Sequence, residues 1–142
     1  MTTYQKDFHA WCYEQAEVLA KKQFQDLDIE NLIEELIDVG NSLSRELESR
    51  LRILFIHLLK WKYQEQRRGF SWQRSIKEQR RRIKKRLDKT PSLKSKLLEI
   101  SLDAYEDALF DASEETGLSV DVFPKKMFFT IEQALTDDWF PE

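Results

Sequence analysis

The sequence predicts an all-α protein, an up-down bundle of four main helices around a long second helix, with a short helix near the C-terminus. Apolar residues recur at steps of three and four along most of the chain, which is the period of a helix face. Glycine and proline are scarce, with three residues of each among 142, and charged residues make up 35%. This composition favours helices over sheets.

The second helix is predicted over residues 28–63, where one apolar stripe keeps its phase without a break. Asp28 is placed to cap its first turn, and no proline interrupts it. Gly40 is its one weak position, at a cost of about 1 kcal/mol relative to alanine. We predict a single helix through Gly40 and leave open a bend there. The stripe consists of Ile29, Leu32, Ile33, Leu36, Leu43, Leu47, Leu51, Leu54, Phe55, Leu58 and Trp61.

The other helices follow from local start and stop signals. The first is predicted over residues 4–24, with an apolar face of Phe8, Trp11, Cys12, Ala16, Leu19 and Ala20. Ser71 is placed to cap a third helix over residues 72–89. Thr90 and Pro91 open a fourth helix that ends before Gly117, over residues 91–116. Thr130 opens a short last helix to residue 135.

The size of the chain predicts a single domain over residues 1–142. A helix of 36 residues is about 54 Å long, whereas a compact chain of this length is about 37 Å across. We therefore expect an elongated body or a second copy of the chain, such as a homodimer. One cysteine, no signal-peptide pattern and no long apolar run make a cytoplasmic protein without a transmembrane segment the expectation.

Several short motifs together resemble a known family over nearly the whole chain. They are Asn31-Leu32-Ile33-Glu34-Glu35, His57-Leu58-Leu59-Lys60-Trp61, Ser71-Trp72, Pro91-Ser92-Leu93, Ala104-Tyr105, Glu115-Thr116-Gly117 and Trp139-Phe140-Pro141. In this order they resemble the bacterial domain-of-unknown-function family twenty-nine, which is common in cyanobacteria. The resemblance implies an all-helical bacterial domain and supplies no activity, cofactor or partner.

Charge is concentrated in the segment from Lys60 to Lys96, which holds fifteen Lys and Arg residues against three acidic ones. One hypothesis is that this segment binds nucleic acid or another anionic surface, because cations neutralise phosphates. The candidate contact residues are Lys62, Arg67, Arg68, Arg74, Arg81, Arg82 and Lys85. The alternative is a solvated helix face, which the net charge of −3 for the whole chain favours.

The acidic residues Glu30, Glu34, Glu35 and Asp38 raise the hypothesis of a metal-dependent hydrolase such as a nuclease. His9 and Cys12 could join Asp38, which gives three ligands at most. No pair of the Glu-x-x-His type accompanies them. We therefore predict no metal, no other cofactor and no catalytic residue.

Five further residues are predicted to serve the core or an interface: His57, Trp61, Trp72, Tyr105 and Trp139. Cys12 is interpreted as core filler. The leading hypothesis is a non-catalytic interaction or assembly module whose partner is a protein, such as a second copy of the chain. Nucleic-acid binding is the second hypothesis and a metal-dependent hydrolase is the third.

Overall fold

The computed structural model describes residues 2–142, and the prediction of an all-α fold is confirmed. Within these residues there are six α-helices and no β-strand. The helices are α1 (Thr3–Lys6), α2 (Phe8–Ala20), α3 (Ile29–Tyr63), α4 (Phe70–Lys89), α5 (Leu97–Thr116) and α6 (Ile131–Leu135). Short 3₁₀ segments cover Phe24–Asp26, Glu65–Arg67, Pro91–Lys96 and Val120–Val122. None of the helices in residues 2–142 is both long and apolar enough to cross a membrane.

The chain divides into two compact units, Met1–Ser42 and Leu43–Glu142. The helix predicted over residues 28–63 is present as α3, which contributes its first turns to the first unit and the remainder to the second. Gly40 lies inside this helix, and a Cβ atom built there would meet no other atom within 4 Å.

The helix predicted over residues 4–24 is divided in the structure, so that prediction was wrong in its bounds. Asp7 separates α1 from α2 because its backbone is not helical and its carboxylate accepts a hydrogen bond from Ala10 N–H at 3.0 Å. An aspartate outside the helix caps free N–H groups that a continuous helix would have satisfied itself. At the other end α2 stops at Ala20, and Lys22 adopts a left-handed backbone with φ of 58°.

Asp28 connects α2 to the start of α3 within the first unit. Its carboxylate accepts hydrogen bonds from Trp11 Nε1 at 3.0 Å and from the Asn31 side chain at 2.8 Å. Its backbone N–H donates to the Gln15 carboxamide oxygen at 2.8 Å. The bond from Asn31 is the main cause that lowers the pKa of Asp28. The predicted start of the long helix at Asp28 therefore has a further role, because the same residue holds two helices together.

The main hydrophobic core lies in the second unit. Leu47, Leu51, Leu54 and Leu58 of α3 are fully buried, as the apolar stripe predicted. They belong to one cluster with Ile76 and Ile83 of α4, Ala104, Ala108 and Ala112 of α5, and Phe123 and Phe129 further on. The three alanines of α5 are completely buried, and their small side chains let neighbouring elements pack close to the α5 backbone.

The ends of α4 and α5 differ in detail from the prediction. Helix α4 begins at Phe70 behind Gly69, and Ser71, the predicted cap, lies exposed inside it. Residues 91–96 are 3₁₀ rather than α-helical, and Thr90 makes no side-chain cap bond. Gly117 ends α5 with φ of 75°, the left-handed conformation that glycine adopts without a steric cost.

The segment after Gly117 is ordered by bonds to the helices of the second unit. Tyr105 of α5 donates its hydroxyl hydrogen to the Pro124 carbonyl at 2.6 Å. The predicted last helix is present as α6, where Thr130 and Gln133 form a reciprocal cap with bonds of 3.0 and 2.9 Å. This segment lies beside α4, and the two together shape a groove.

Candidate functional site

Two surfaces stand out, one in each unit. The first is a set of apolar side chains on the first turns of α3: Ile29, Ile33, Leu36, Ile37 and Val39, which we call the N-terminal apolar surface. Between 52% and 71% of each of these residues is exposed to solvent. The apolar stripe of α3 thus divides into an exposed first part and a buried second part.

The rest of the first unit is equally poor in buried apolar surface. Of the face predicted for the first helix, Trp11 alone is buried, whereas Phe8 and Leu19 are 45% and 47% exposed. Cys12 is exposed as well, so its interpretation as core filler was wrong. Among residues 2–42, Trp11 and Gln15 are the two that the structure buries. The unit is therefore held mainly by hydrogen bonds around Asp28 and by aromatic contacts of Trp11 with Tyr4 and Phe8.

The first unit is also acidic, with nine Asp and Glu residues against three lysines in residues 1–42. Tyr4 donates its hydroxyl hydrogen to Glu35, and this bond is the main cause that raises the pKa of Tyr4 to about 12. His9 packs against Tyr13, with ring centroids 4.9 Å apart. Across residues 2–142, no three His, Cys, Asp or Glu side chains are grouped so as to hold a metal ion. The structure thus assembles no ligand set from His9, Cys12 and Asp38.

The second surface is a groove of about 1160 Å³ between α4 and the C-terminal segment, which we call the α4 groove. Seven cationic side chains line it against three acidic ones. The cations are Arg74, Lys77, Arg80, Arg81, Lys84, Lys85 and Lys89, and the acids are Asp88, Asp137 and Asp138. The cations lie three or four residues apart on α4, or next to one that does, and side chains with this spacing share one face of a helix.

Ion pairs neutralise part of this charge. Lys84 Nζ lies 3.0 Å from Asp137, and this bond lowers the pKa of Asp137. Arg81 and Arg82 both bind Glu78, at 2.9 and 2.6 Å, and these bonds lower the pKa of Glu78 to about 2. The four other exposed cations of the groove have no ion-pair partner among residues 2–142; they are Arg74, Lys77, Lys85 and Lys89.

Arg80 forms part of the groove and is almost completely buried, with 2% of the residue exposed. Its Nε donates to the Ala134 carbonyl and its Nη2 to the Trp139 carbonyl, each at 2.7 Å. Its guanidinium carbon lies 5.7 Å from the centre of the Phe140 ring. Burial lowers the pKa of Arg80. Arg80 thereby ties the C-terminal segment to α4 and gives the groove its second wall.

The groove also contains aromatic rings. Phe70, on the first turn of α4, is 77% exposed, the highest value among the large apolar residues that the structure leaves in solvent. Phe140 is half-buried and packs on Trp61, with ring centroids 4.5 Å apart. A ring as exposed as Phe70 contributes little to the core and remains free to stack on a ligand.

The structure brings together only some of the cations that the sequence suggested for nucleic-acid contact. Arg74, Arg81 and Lys85 line the α4 groove. Arg82 is absent from the groove lining and faces a smaller cavity with Glu46, Lys85, Arg86 and Lys89. The other three lie elsewhere in the second unit: Lys62 is 5.1 Å from the Phe128 ring, Arg68 donates to the Trp61 carbonyl at 2.6 Å, and Arg67 is exposed in a 3₁₀ turn.

Sequence reasoning missed Lys77, Lys84, Lys89 and above all Arg80 as groove residues. The helical spacing of Lys77, Lys84 and Lys89 from Arg74, Arg81 and Lys85 was a signal that could have found them. Arg80 appeared in the sequence as an interruption of the apolar stripe between Ile76 and Ile83. The acceptors of Arg80 lie more than 50 residues further along the chain, so no local pattern indicates them.

The predicted core and interface residues all lie in the second unit. His57 Nδ1 is 2.8 Å from the Ile53 carbonyl, and burial lowers the pKa of His57. Tyr105 is buried, and burial raises the pKa of its hydroxyl because the charged form of tyrosine is the deprotonated one.

The tryptophans surround the C-terminal segment and the end of α3. Trp61 contacts Phe140, and Lys60 Nζ lies 5.9 Å from the centre of the Trp72 ring. Trp139 lies 6.0 Å from Phe129 between ring centroids, and its carbonyl receives the bond from Arg80. Trp61, through Phe140, and Trp139, through Arg80, are therefore in contact with residues that line the α4 groove.

The family model of the domain of unknown function DUF29 matches residues 3–140, nearly the whole chain. The chain belongs to the DUF29 family. No curated protein and no solved structure matches it. The DUF29 assignment spans both units and therefore includes the N-terminal apolar surface and the α4 groove. The family description carries no activity, and these two surfaces are the features of the chain that bear on its function.

Proposed function

We propose that this DUF29 protein is a non-catalytic assembly module that pairs with a second copy of itself through the N-terminal apolar surface. The observation that carries the proposal is the exposure of Ile33, Leu36, Ile37 and Val39, each of which is more than half exposed. The same helix buries its leucines completely a few turns later.

An exposed apolar stripe on a helix calls for a covering partner. A helix on the surface of a folded protein normally turns its apolar face inward and its charged face to water. A contiguous apolar patch on the outside is typical of an interaction surface. In the first unit the charged residues Glu30, Glu34 and Asp38 alternate with the residues of the N-terminal apolar surface on the same turns of α3. This pattern supports an interface with an apolar centre and a charged rim.

The spacing along α3 favours a second copy as the partner. Ile29, Ile33, Leu36 and Gly40 are separated by steps of four, three and four, the repeat of helices that pair along a seam. In an antiparallel pair with a two-fold axis at Leu36, each residue faces the one equally far on the other side of Leu36 in the second copy, so Ile33 faces Val39 of the second copy. The seam is therefore complementary to itself.

The charge of the first unit sets how this pairing responds to salt. Each copy carries a net charge of −6 on residues 1–42, so two such units repel each other in the absence of screening. Salt screens charges at the rim, with a Debye length of about 8 Å at 0.15 M. Pairing is accordingly expected to strengthen as the salt concentration rises.

The first prediction is that Leu36→Glu separates the two copies. Leu36 is the most exposed member of the surface and lies at the proposed axis, where two added carboxylates face each other. Size-exclusion chromatography with light scattering at 100 µM is expected to give twice the chain mass of 17.1 kDa for the wild type and the single mass for the variant.

Leu98→Glu is the matched control, because Leu98 is 59% exposed on α5, outside the first unit. It introduces the same charge on another leucine that is more than half exposed and is expected to leave the mass doubled. A wild-type protein that elutes with the mass of one chain at 100 µM, in both low and high salt, would contradict self-pairing.

A further inference from the structure

We propose that the α4 groove binds single-stranded nucleic acid. The inference is independent of the N-terminal apolar surface, since every residue it uses lies in the second unit. It rests on three features of the groove: a row of five cations, four of which have no ion-pair partner among the described residues; a second wall that closes one side of α4; and an exposed aromatic ring at one end.

The row of cations matches a ligand with regularly repeated negative charge. Arg74, Lys77, Arg81, Lys85 and Lys89 follow one another at steps of three and four along α4. With a rise of 1.5 Å per residue, they extend over about 22 Å of helix, one every about 5–6 Å. All but Arg81 lack an ion-pair partner among the residues that the structure describes. A strand of phosphates along the groove meets a cation at each step.

The second wall distinguishes a single strand from a duplex. A helix that reads duplex DNA inserts into the major groove and must be free on its basic face. Here the C-terminal residues Asp137, Asp138 and Phe140 lie along the basic face of α4, and Arg80 holds them there through the Ala134 and Trp139 carbonyls. A channel with two walls admits one strand and keeps α4 out of a duplex groove.

Phe70 distinguishes a nucleic acid from other polyanions. It lines the groove and is 77% exposed, beside the row of cations. Nucleic-acid bases stack on such rings, and this contribution tolerates any base sequence. An acidic peptide offers the same charge without an aromatic base to stack. The combination of Phe70 with the cations therefore assigns the groove to a single strand.

The experiment measures binding of a fluorescein-labelled 20-nucleotide oligo-dT by fluorescence anisotropy. The wild type is expected to bind at 50 mM NaCl and to lose about 50-fold in affinity at 200 mM NaCl if four cations contact phosphates. The double variant Arg74→Glu/Lys85→Glu is expected to lose at least about tenfold at 50 mM. Phe70→Ala is expected to lose about fivefold or more, because a base loses its stacking platform.

The matched control is Arg67→Glu/Lys94→Glu, which makes the same change of charge at two exposed cations outside the groove. It is expected to keep the affinity within about threefold. Circular dichroism melting curves verify that all variants fold. Four outcomes would overturn the proposal: no binding at 50 mM NaCl, equal losses in both double variants, an unchanged affinity for Phe70→Ala, or equal affinity for a 20-base-pair duplex. Displacement of the oligonucleotide by poly-glutamate at equal charge concentration would indicate an acidic protein partner instead.

Discussion

Arg80 occupies a position that the helical period reserves for an apolar side chain. It lies on the buried stripe of α4 between Ile76 and Ile83, and its charge is compensated by two backbone carbonyls and the face of Phe140. A buried guanidinium is stable only when its donors are satisfied, because desolvation of an unpaired charge is costly. A leucine in this position could not donate these hydrogen bonds. Arg80 uses them to hold the residues around Trp139, which form no regular secondary structure.

Arg80→Met is expected to lower the free energy of unfolding by about 2–4 kcal/mol. Methionine fills a similar volume but leaves the Ala134 and Trp139 carbonyls without their donors, and an unsatisfied buried group costs about 1–3 kcal/mol. Urea denaturation followed by circular dichroism measures the change. Arg74→Met is the control, because Arg74 is exposed on the same helix and its loss is expected to change stability by about 0.5 kcal/mol or less. Equal stabilities of the two variants would contradict this role of Arg80.

At the scale of the helices, the sequence predicted where each helix lies better than it predicted the first and last residues of each helix. The apolar stripe over residues 28–63 gave α3 within one residue, because a long phase-constant pattern has no competing interpretation. The first helix was predicted too long, since Asp7 is compatible with a helix interior and also with a cap. In the structure Asp7 is a cap, and the bond from Ala10 N–H to its carboxylate is what marks the start of α2. Periodicity does not resolve such a difference.

Gly117 and Gly40 are expected to respond to alanine with opposite signs. Gly117 holds φ of 75° at the end of α5, where a Cβ costs about 1–2 kcal/mol. Gly40 lies inside α3 with open space around it, where alanine stabilises a helix by up to about 1 kcal/mol. Urea denaturation at one fixed protein concentration is expected to show a lower midpoint urea concentration for Gly117→Ala than for the wild type. For Gly40→Ala the midpoint is expected to be unchanged or higher. A lowered midpoint for Gly40→Ala alone would contradict the helical environment assigned to each glycine.

At the scale of the whole molecule, the sequence predicted the all-α class and the existence of a basic segment but not the two surfaces. Leu36 and Leu51 look alike in the stripe, yet Leu36 is 71% exposed and Leu51 is buried. The difference depends on which other elements reach each part of α3, and that information is not local. The α4 groove likewise requires Asp137 and Phe140, which lie about 50 residues beyond α4.

The two proposals predict opposite responses of the molecule to salt. Pairing through the acidic first unit is expected to strengthen with salt because screening reduces repulsion between like charges. Binding of a single strand in the α4 groove is expected to weaken with salt because counterions compete for the phosphates. A titration of NaCl therefore separates the two activities in one preparation, with no variant needed.

In the proposed assembly, a second copy covers the exposed first part of the α3 stripe. Amide hydrogen exchange, measured at 5 µM and at 200 µM protein, tests it most directly because it reports on each part of α3 separately. We expect slower exchange at 200 µM for residues 29–39 and the same exchange at both concentrations for residues 47–59. Identical exchange of residues 29–39 at the two concentrations would contradict it.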